Sequence, residues 1–453
     1  MAESMRTRME RDEDERLAAH AVRSADATRR HAVPVEGRGF DYRTGFQRDR
    51  DRVVYSRAFR RLRQKAQLGI LPDYEDHRRN RLTHTLEVTQ LARTVGRALR
   101  LNEDLVEAVS LAHDLGQPPF GPAGELALDD LLAGRLDGHG GTGLGDLGGF
   151  RHTVQGLRVV DLLEKRYKHP GLNLSDPVRE GILKSGPIPG PRPVPDDAGL
   201  RPGLAPAFEV QAVLLADRIA TALHDLDDAL QSRVVEPVQV ERLPAVGVLR
   251  RRLGRSYPTR AGRFMKANAI HRGLVHLLVT DAIVASERRL DEWADRYGVS
   301  DPERFREVRD EAVRGDEIAA APTGARMLDE IEDFLESRVR RGYDADRVAG
   351  WGRRVLLGLF AAYLADPTLL EDHVLLRFKQ SAGGRFLRDL PRSRVEAELT
   401  NRYRRNPRFV RLLVDHLAAM TDAYAMTEHR RLLEMGAVPI PGAEQLRRED
   451  ELL

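Results

Sequence analysis

The chain has no cysteine. That removes disulfides, thiolate nucleophiles and thiolate metal ligands, and it suits a reducing compartment such as the cytoplasm. No apolar run approaches the ~18 residues of a membrane-crossing helix, and the first thirty residues are charged where a secretory leader would be apolar, so no membrane contact is expected. A surplus of one charge is missing as well. Lys plus Arg number 73 against 70 for Asp plus Glu, so the overall balance does not by itself indicate nucleic acid. Apolar and polar residues nowhere alternate beyond about six positions, and no internal repeat is found, which leaves strands and solenoids without support. The chain is therefore all-α.

At 453 residues it can bury a large core, as one helical body or as two or three domains. Nearly all the basic residues are arginine. Genome base composition explains much of that, although arginine also suits phosphate recognition. The first forty or so residues interleave acid and base, which suggests a mobile or weakly helical arm. From Val53 to Leu62 a helix is expected with Val54, Ala58 and Leu62 on one side. Leu82 to Leu101 repeats apolar residues at helical spacing, with Leu86, Leu91 and Val95 on the stripe, and carries His84. The next helix starts at Asn102, a good N-cap with Glu103 and Asp104 behind it, and stops near Gly116, Pro118 and Pro119. Glycine-rich residues 134 to 149 and the Pro- and Gly-dense 186 to 206 are expected loops. Phe150 to Tyr167, Asp176 to Lys184, Phe208 to Val234, Gly273 to Tyr297, Gly324 to Arg341, Trp351 to Leu364 and Arg408 to Met435 are expected helices.

The residues with the most chemistry stand at the end of the second of these helices, in Ala112-His113-Asp114-Leu115-Gly116. Imidazole and carboxylate side by side are metal ligands that need partners from elsewhere in the chain. His84 and Asp217 are available. Such a set suits a divalent ion such as Mn, Fe, Co, Ni or Zn, and an open position on it would activate water for phosphoester hydrolysis. On the Phe208 to Val234 helix, Asp217, Thr221, Asp225 and Asp228 recur at i, i+4, i+8 and i+11. Three carboxylates on one face repel unless a metal or arginines meet them.

The order His84, His113-Asp114, Asp217 resembles the HD-domain metal-dependent phosphohydrolases. The likeness extends to Arg48-Asp49-Arg50-Asp51-Arg52, Phe59-Arg60-Arg61-Leu62, Lys65, Gln67, Arg81-Leu82-Thr83-His84-Thr85-Leu86-Glu87-Val88, Pro118-Pro119-Phe120-Gly121, Gly124-Glu125, His152 and His224-Asp225-Leu226-Asp227-Asp228. In these the chain is similar to the deoxyguanosine triphosphate triphosphohydrolases, over roughly residues 42 to 436. That resemblance implies an HD-domain helical core over residues 42–235. A polar arm would precede it at 1–41, and a C-terminal helical region at 236–453 would complete the body and offer a homo-oligomer interface. It implies cleavage of a deoxynucleoside triphosphate to deoxynucleoside and inorganic triphosphate. His84, His113, Asp114 and Asp217 would hold the divalent metal, magnesium included among the candidates, and Arg81 would reach the α-phosphate. Arg218 would be a second phosphate contact, Gln67 and Leu68 would meet sugar and base, and Asp225 would read the 3′-hydroxyl.

The departures fall in the loop after Asp114. The family carries histidine where this chain has Gln117 and Pro122, the second being its proton-transfer residue, and tyrosine where this chain has Thr221. Glu125 and His152 remain as acid-base candidates. General acid-base help is typically worth ~10² to 10⁴ in rate, so slow turnover on an intact metal site is one expectation. A nucleotide-sensing protein answering to a nucleotide effector is a second, and a single-stranded nucleic-acid binder using the arginine-rich helices is a third.

Overall fold

The structure is a computed structural model that describes residues 5–32, 42–67, 79–136, 144–186, 200–383 and 385–433. Leu68 lies outside the described residues, as do 137–143 and 187–199 of the two expected loops and everything after Leu433.

Side chains that can accept from the first turn start many of the helices. Thr44 forms a reciprocal capping box with Gln47, and Ser56, Asn80, Asn102, Asp301 and Asn406 each accept a backbone N–H at the start of a helix. In chain order the helices are α1 (Met5–Arg16), α2 (Gly45–Val54), α3 (Arg57–Arg61), α4 (Arg81–Ala98), α5 (Glu103–Ala112), α6 (Gly121–Leu132), α7 (His152–Arg158), α8 (Asp176–Lys184), α9 (Phe208–Gln231) and α10 (Pro237–Val240). Then follow α11 (Pro244–Leu253), α12 (Arg263–Tyr297), α13 (Pro302–Ala312), α14 (Pro322–Leu335), α15 (Tyr343–Ala365), α16 (Asp372–Ala382), α17 (Arg392–Glu398), α18 (Pro407–Ala419) and α19 (Asp422–Leu433). Among the described residues no strand forms. Two isolated bridges, Arg29 with Ser175 and Ala66 with Asn80, are the nearest approach to one.

The chain divides into two compact units, Met1–Gln117 with Arg151–Ala349, and Pro118–Phe150 with Gly350–Leu453. In the first, α4 packs against both α5 and α9, and α12 lies on α9. Val88, Ala92 and Val95 of α4 meet Leu105 and Val109 of α5 and Ile219, Leu223 and Leu226 of α9 in one apolar core. Leu86 is not part of it and is 51 % exposed. It precedes Val88 by two residues, about 160° away around a helix of 3.6 residues per turn. Val54 is likewise turned outward, because α2 stops there and Ser56 starts a new helix, so that Val53, Ala58 and Leu62 are the buried set. By length and composition α12 is apolar enough to cross a membrane, a span the reading by continuous runs passes over. Its Ile270, Leu274, Leu278 and Ala282 are used inside the core.

Residues 5–32 pack more closely than their polarity suggests. Ala21 and Val22 are buried, Glu13 accepts from the Ser24 backbone N–H at 3.0 Å and its hydroxyl at 2.6 Å, and Glu209 accepts the N–H of Val22 at 2.9 Å. Alternating charge masked a short apolar and hydrogen-bonding segment whose partners lie far along the chain. Within it the His20 ring stands edge-on to Phe208 and Trp293. Burial, with Arg100 and Arg23 alongside, pushes this imidazole down from 6.5 to about 4. Between those values the unfolded chain binds a proton that the folded one does not, so stability falls as pH drops from 6.5 toward 4 and then levels. The loss approaches ~3 kcal/mol at one pK unit per 1.36 kcal/mol. Urea unfolding of the wild type and of His20→Phe across this range checks it: the variant loses that slope.

In the second unit Leu128, Leu131 and Leu132 of α6 join Leu356, Leu359 and Phe360 of α15 and Phe409, Leu413 and Leu417 of α18. Phe120, in the left-handed conformation at φ 63°, opens α6. Its N–H donates to the Asp422 carboxylate at 3.0 Å, its ring meets Trp351, and Gly352 leaves room for it. The segment expected as one helix from Arg408 to Met435 is broken at Met420 and Thr421, where the Thr421 hydroxyl accepts the N–H of Tyr424 and starts α19.

Candidate metal centre

Three local structures bring the centre together. Asn80 accepts the N–H of Thr83 at 2.9 Å and starts α4, which places Arg81 in its first turn and His84 one turn on. Asn102 caps α5, whose last residue is Ala112, so His113 and Asp114 fall in the turn after it. That turn lies against the start of α7: a Cβ on Gly116 would stand 2.0 Å from the His152 carbonyl oxygen and 2.1 Å from the Gly156 nitrogen. Asp217 comes from α9, two turns before His224.

The Nε2 of His84 lies 3.1 Å from Asp217 Oδ1, and the Nε2 of His113 lies 3.8 Å from the same oxygen and 3.6 Å from Asp114 Oδ1. Ligand atoms of His84, His113 and Asp217 all fall within 4.8 Å of one another. The His113 Nδ1 is 2.6 Å from the Ser110 carbonyl, which only accepts, so Nδ1 carries a proton and Nε2 is the nitrogen turned to the centre. Buried imidazoles with carboxylates are the donor set of a borderline divalent cation. These residues fit one.

Electrostatics agree with an ionised, cation-seeking pair of acids. Burial works against the charge on Asp114, but Arg81 and His113, with His84 and His152, hold its carboxyl far below the usual range. Burial likewise opposes Asp217, and His84 and His113 bring it down. Burial lowers His113 while Asp114 and Asp217 raise it, and the raising prevails.

The other residues singled out in the sequence take varied places. Arg81 is buried and its Nη1 donates to Asp114 Oδ2 at 2.8 Å, while its Nε has no hydrogen-bond partner. Gln67 has a buried Oε1 without one, as does Gln117, whose carbonyl accepts from the Lys65 ammonium. Arg218 turns to α14, where it binds Glu332 at 2.8 Å and Asp329 at 2.6 Å. Asp225 accepts from Arg340 at 2.7 Å. His152 opens α7, and Glu125 lies half-buried on α6 in the second unit. The three-acid face of α9 is met as its spacing requires, with the two imidazoles at Asp217, Arg340 at Asp225, and Arg79 at Asp228 (2.6 Å).

Sequence spacing alone leaves out a further group. His84 Nδ1 lies 3.2 Å from His224 Nδ1, and His224 Nε2 lies 3.1 Å from Glu87 Oε2. Arg79 holds Glu87 at 2.8 Å. Burial, with Arg79, His84 and His271 nearby, pushes His224 down to about 2. Burial and the nearby Asp227, Asp225 and Glu87 push Asp228 up to about 7, against the pull of Arg79. His224 follows Asp217 by seven residues and Glu87 follows His84 by three, so both stay on the site's face of their helices; a list confined to aspartates hides them.

Residues 81–222 match the HD domain family. A deoxyguanosinetriphosphate triphosphohydrolase-like protein of Syntrophus aciditrophicus is 35% identical over 432 residues, covering 94% of this chain and 96% of the relative. Proteins of the same description from Ralstonia pickettii (36%, covering 93% and 96%) and Rhizobium leguminosarum bv. trifolii (35%, covering 91% and 95%) are similar in the same way. Likeness at this level over almost the whole of both chains places the protein in the deoxyguanosinetriphosphate triphosphohydrolase-like family, built on the HD domain.

Proposed function

We propose that this protein, a metal-dependent phosphohydrolase by family, cleaves deoxynucleoside triphosphates in the cytoplasm into deoxynucleoside and inorganic triphosphate. The observation that carries the proposal is the meeting of His84, His113 and Asp217 within 4.8 Å, with Asp114 beside them. A divalent cation held by these four would supply Lewis-acid polarisation of a phosphoryl oxygen. The remaining work falls to side chains. Water's oxygen joins the α-phosphorus, the 5′-oxygen leaves, and one proton passes to it. Arg81, buried and with an unpartnered Nε, is the cation to meet the α-phosphate. Gln67, with Leu68 beside it in sequence, would meet the sugar and base, Asp225 the 3′-hydroxyl, and Arg218 would exchange its carboxylates for phosphate. His152 or Glu125 moves the proton.

The direct test gives purified protein and manganese each of the four deoxynucleoside triphosphates and measures nucleoside and triphosphate together, beside Asp114→Ala. Equal, metal-dependent release of both products that the variant lacks is expected. Monophosphate and pyrophosphate as products, or no release from any of the four, overturns the proposal. Pro122→His tests the acid-base step. Pro122 is exposed at the start of α6, so histidine is sterically tolerated there, and turnover is expected to rise by ~10² where a general acid had been absent. Unchanged turnover would assign the step wholly to His152 or Glu125.

A further inference from the structure

Two ring nitrogens that face each other across 3.2 Å, His84 Nδ1 and His224 Nδ1, must share one proton between them. Which ring owns it follows from the neighbour on the far side. His224 Nε2 faces the Glu87 carboxylate at 3.1 Å, and a carboxylate only accepts, so the His224 proton sits on Nε2. Arg79 bonds the same carboxylate and brings its own positive charge against the pair, which disfavours a second proton on His224. The His224 Nδ1 is then a lone pair and His84 must donate to it from Nδ1, so that His84 Nε2, 3.1 Å from Asp217, is the nitrogen that turns to the centre, donating to that carboxylate until a cation takes its place.

We propose that His224 and Glu87 are positioning residues that lock His84 in the one tautomer and ring orientation able to bind a divalent cation through Nε2. This rests on the metal centre of the proposed function. A ligand histidine usually hands its other N–H to a carboxylate or a carbonyl. Here a second imidazole stands between ligand and carboxylate, so the orientation of His84 on α4 depends on α9, the same helix that supplies Asp217. Glu87 sits one turn beyond His84 on α4, and Arg79, which bonds Glu87, also reaches Asp228 on α9 at 2.6 Å. Both helices are thus tied at the ligand and again behind it.

The experiment has two arms on the full-length protein. In metal-free wild type, nitrogen-15 NMR of labelled histidines reads the tautomer of His84, assigned with His84→Gln. A protonated Nδ1 on His84 is expected, and a ring bare at Nδ1 and protonated only at Nε2 overturns the inference without any variant having to fold. In the second arm, manganese binding is measured calorimetrically. His224→Leu, which removes the acceptor, is expected to bind about 10- to 100-fold more weakly. His224→Asn, whose Oδ1 falls where Nδ1 was and can still accept, should recover most of that loss. Leu and Asn variants of equal affinity, whether both weak or both like wild type, would overturn the positioning role. Wild type that binds no manganese would instead fail the metal centre itself, and the tautomer in the first arm would still decide the lock.

Discussion

Asp217→Ala is expected to abolish metal-dependent hydrolysis, by ~10³-fold or more, and with it the stabilisation that manganese gives the protein. Lewis-acid help of several kcal/mol is lost with the ion, and each 1.36 kcal/mol is tenfold in rate. Asp217 is the hub of the centre, since its one Oδ1 faces the Nε2 of both imidazoles, at 3.1 and 3.8 Å. Its side chain is still 30 % exposed and sits mid-helix, where alanine is favourable, so the metal-free variant keeps the wild-type fold. That separation makes the result readable. At a hundred times its dissociation constant a ligand stabilises the native state by about 2.7 kcal/mol. A thermal shift with manganese that is present in wild type and absent in Asp217→Ala is the expected pattern. An equal shift in both would remove Asp217 from the ligand set.

Gly116→Ala is expected to prevent accumulation of folded protein. The added Cβ meets backbone, not the movable end of a side chain, at 2.0 Å from the His152 oxygen and 2.1 Å from the Gly156 nitrogen. Relief requires the turn holding His113 and Asp114 to separate from α7, opening a buried seam. Overpacking against side chains typically costs 1–3 kcal/mol; a backbone clash on two sides exceeds that, a large share of the ~5–15 kcal/mol that holds a domain together. Soluble yield and circular dichroism check it. A variant with wild-type melting would mean the turn and α7 can part without loss.

Much of the centre is legible before any coordinates. The Asn102 cap, the apolar run to Ala112 and the Gly116, Pro118, Pro119 stop are local signals, and they put His113 and Asp114 where they are found. The acid spacing on α9 calls for cations, and Arg79 and Arg340 answer it. What stayed hidden depends on contacts between distant segments. A capping serine at position 56 outweighed helical spacing through Val54, because its oxygen satisfies a backbone donor that continued spacing would not. The segment around His20 and Val22 looks polar in sequence, and only Glu209, Phe208 and Trp293, all from later helices, make its burial favourable. His224 gives no composition signal at all. Its role depends on which atom its Nδ1 faces, and periodicity carries no such information.

The hook from Phe120 to Asp422 has a consequence for biosynthesis. On the ribosome, Pro118 to Phe150 emerges in the midst of the first unit, yet the residues that complete its core lie only beyond Gly350. The left-handed turn at Phe120 gains its hydrogen bond from the last described helix. Until those later helices have emerged, α6 must therefore wait as an unpaired amphipathic segment, a natural client for a holding chaperone.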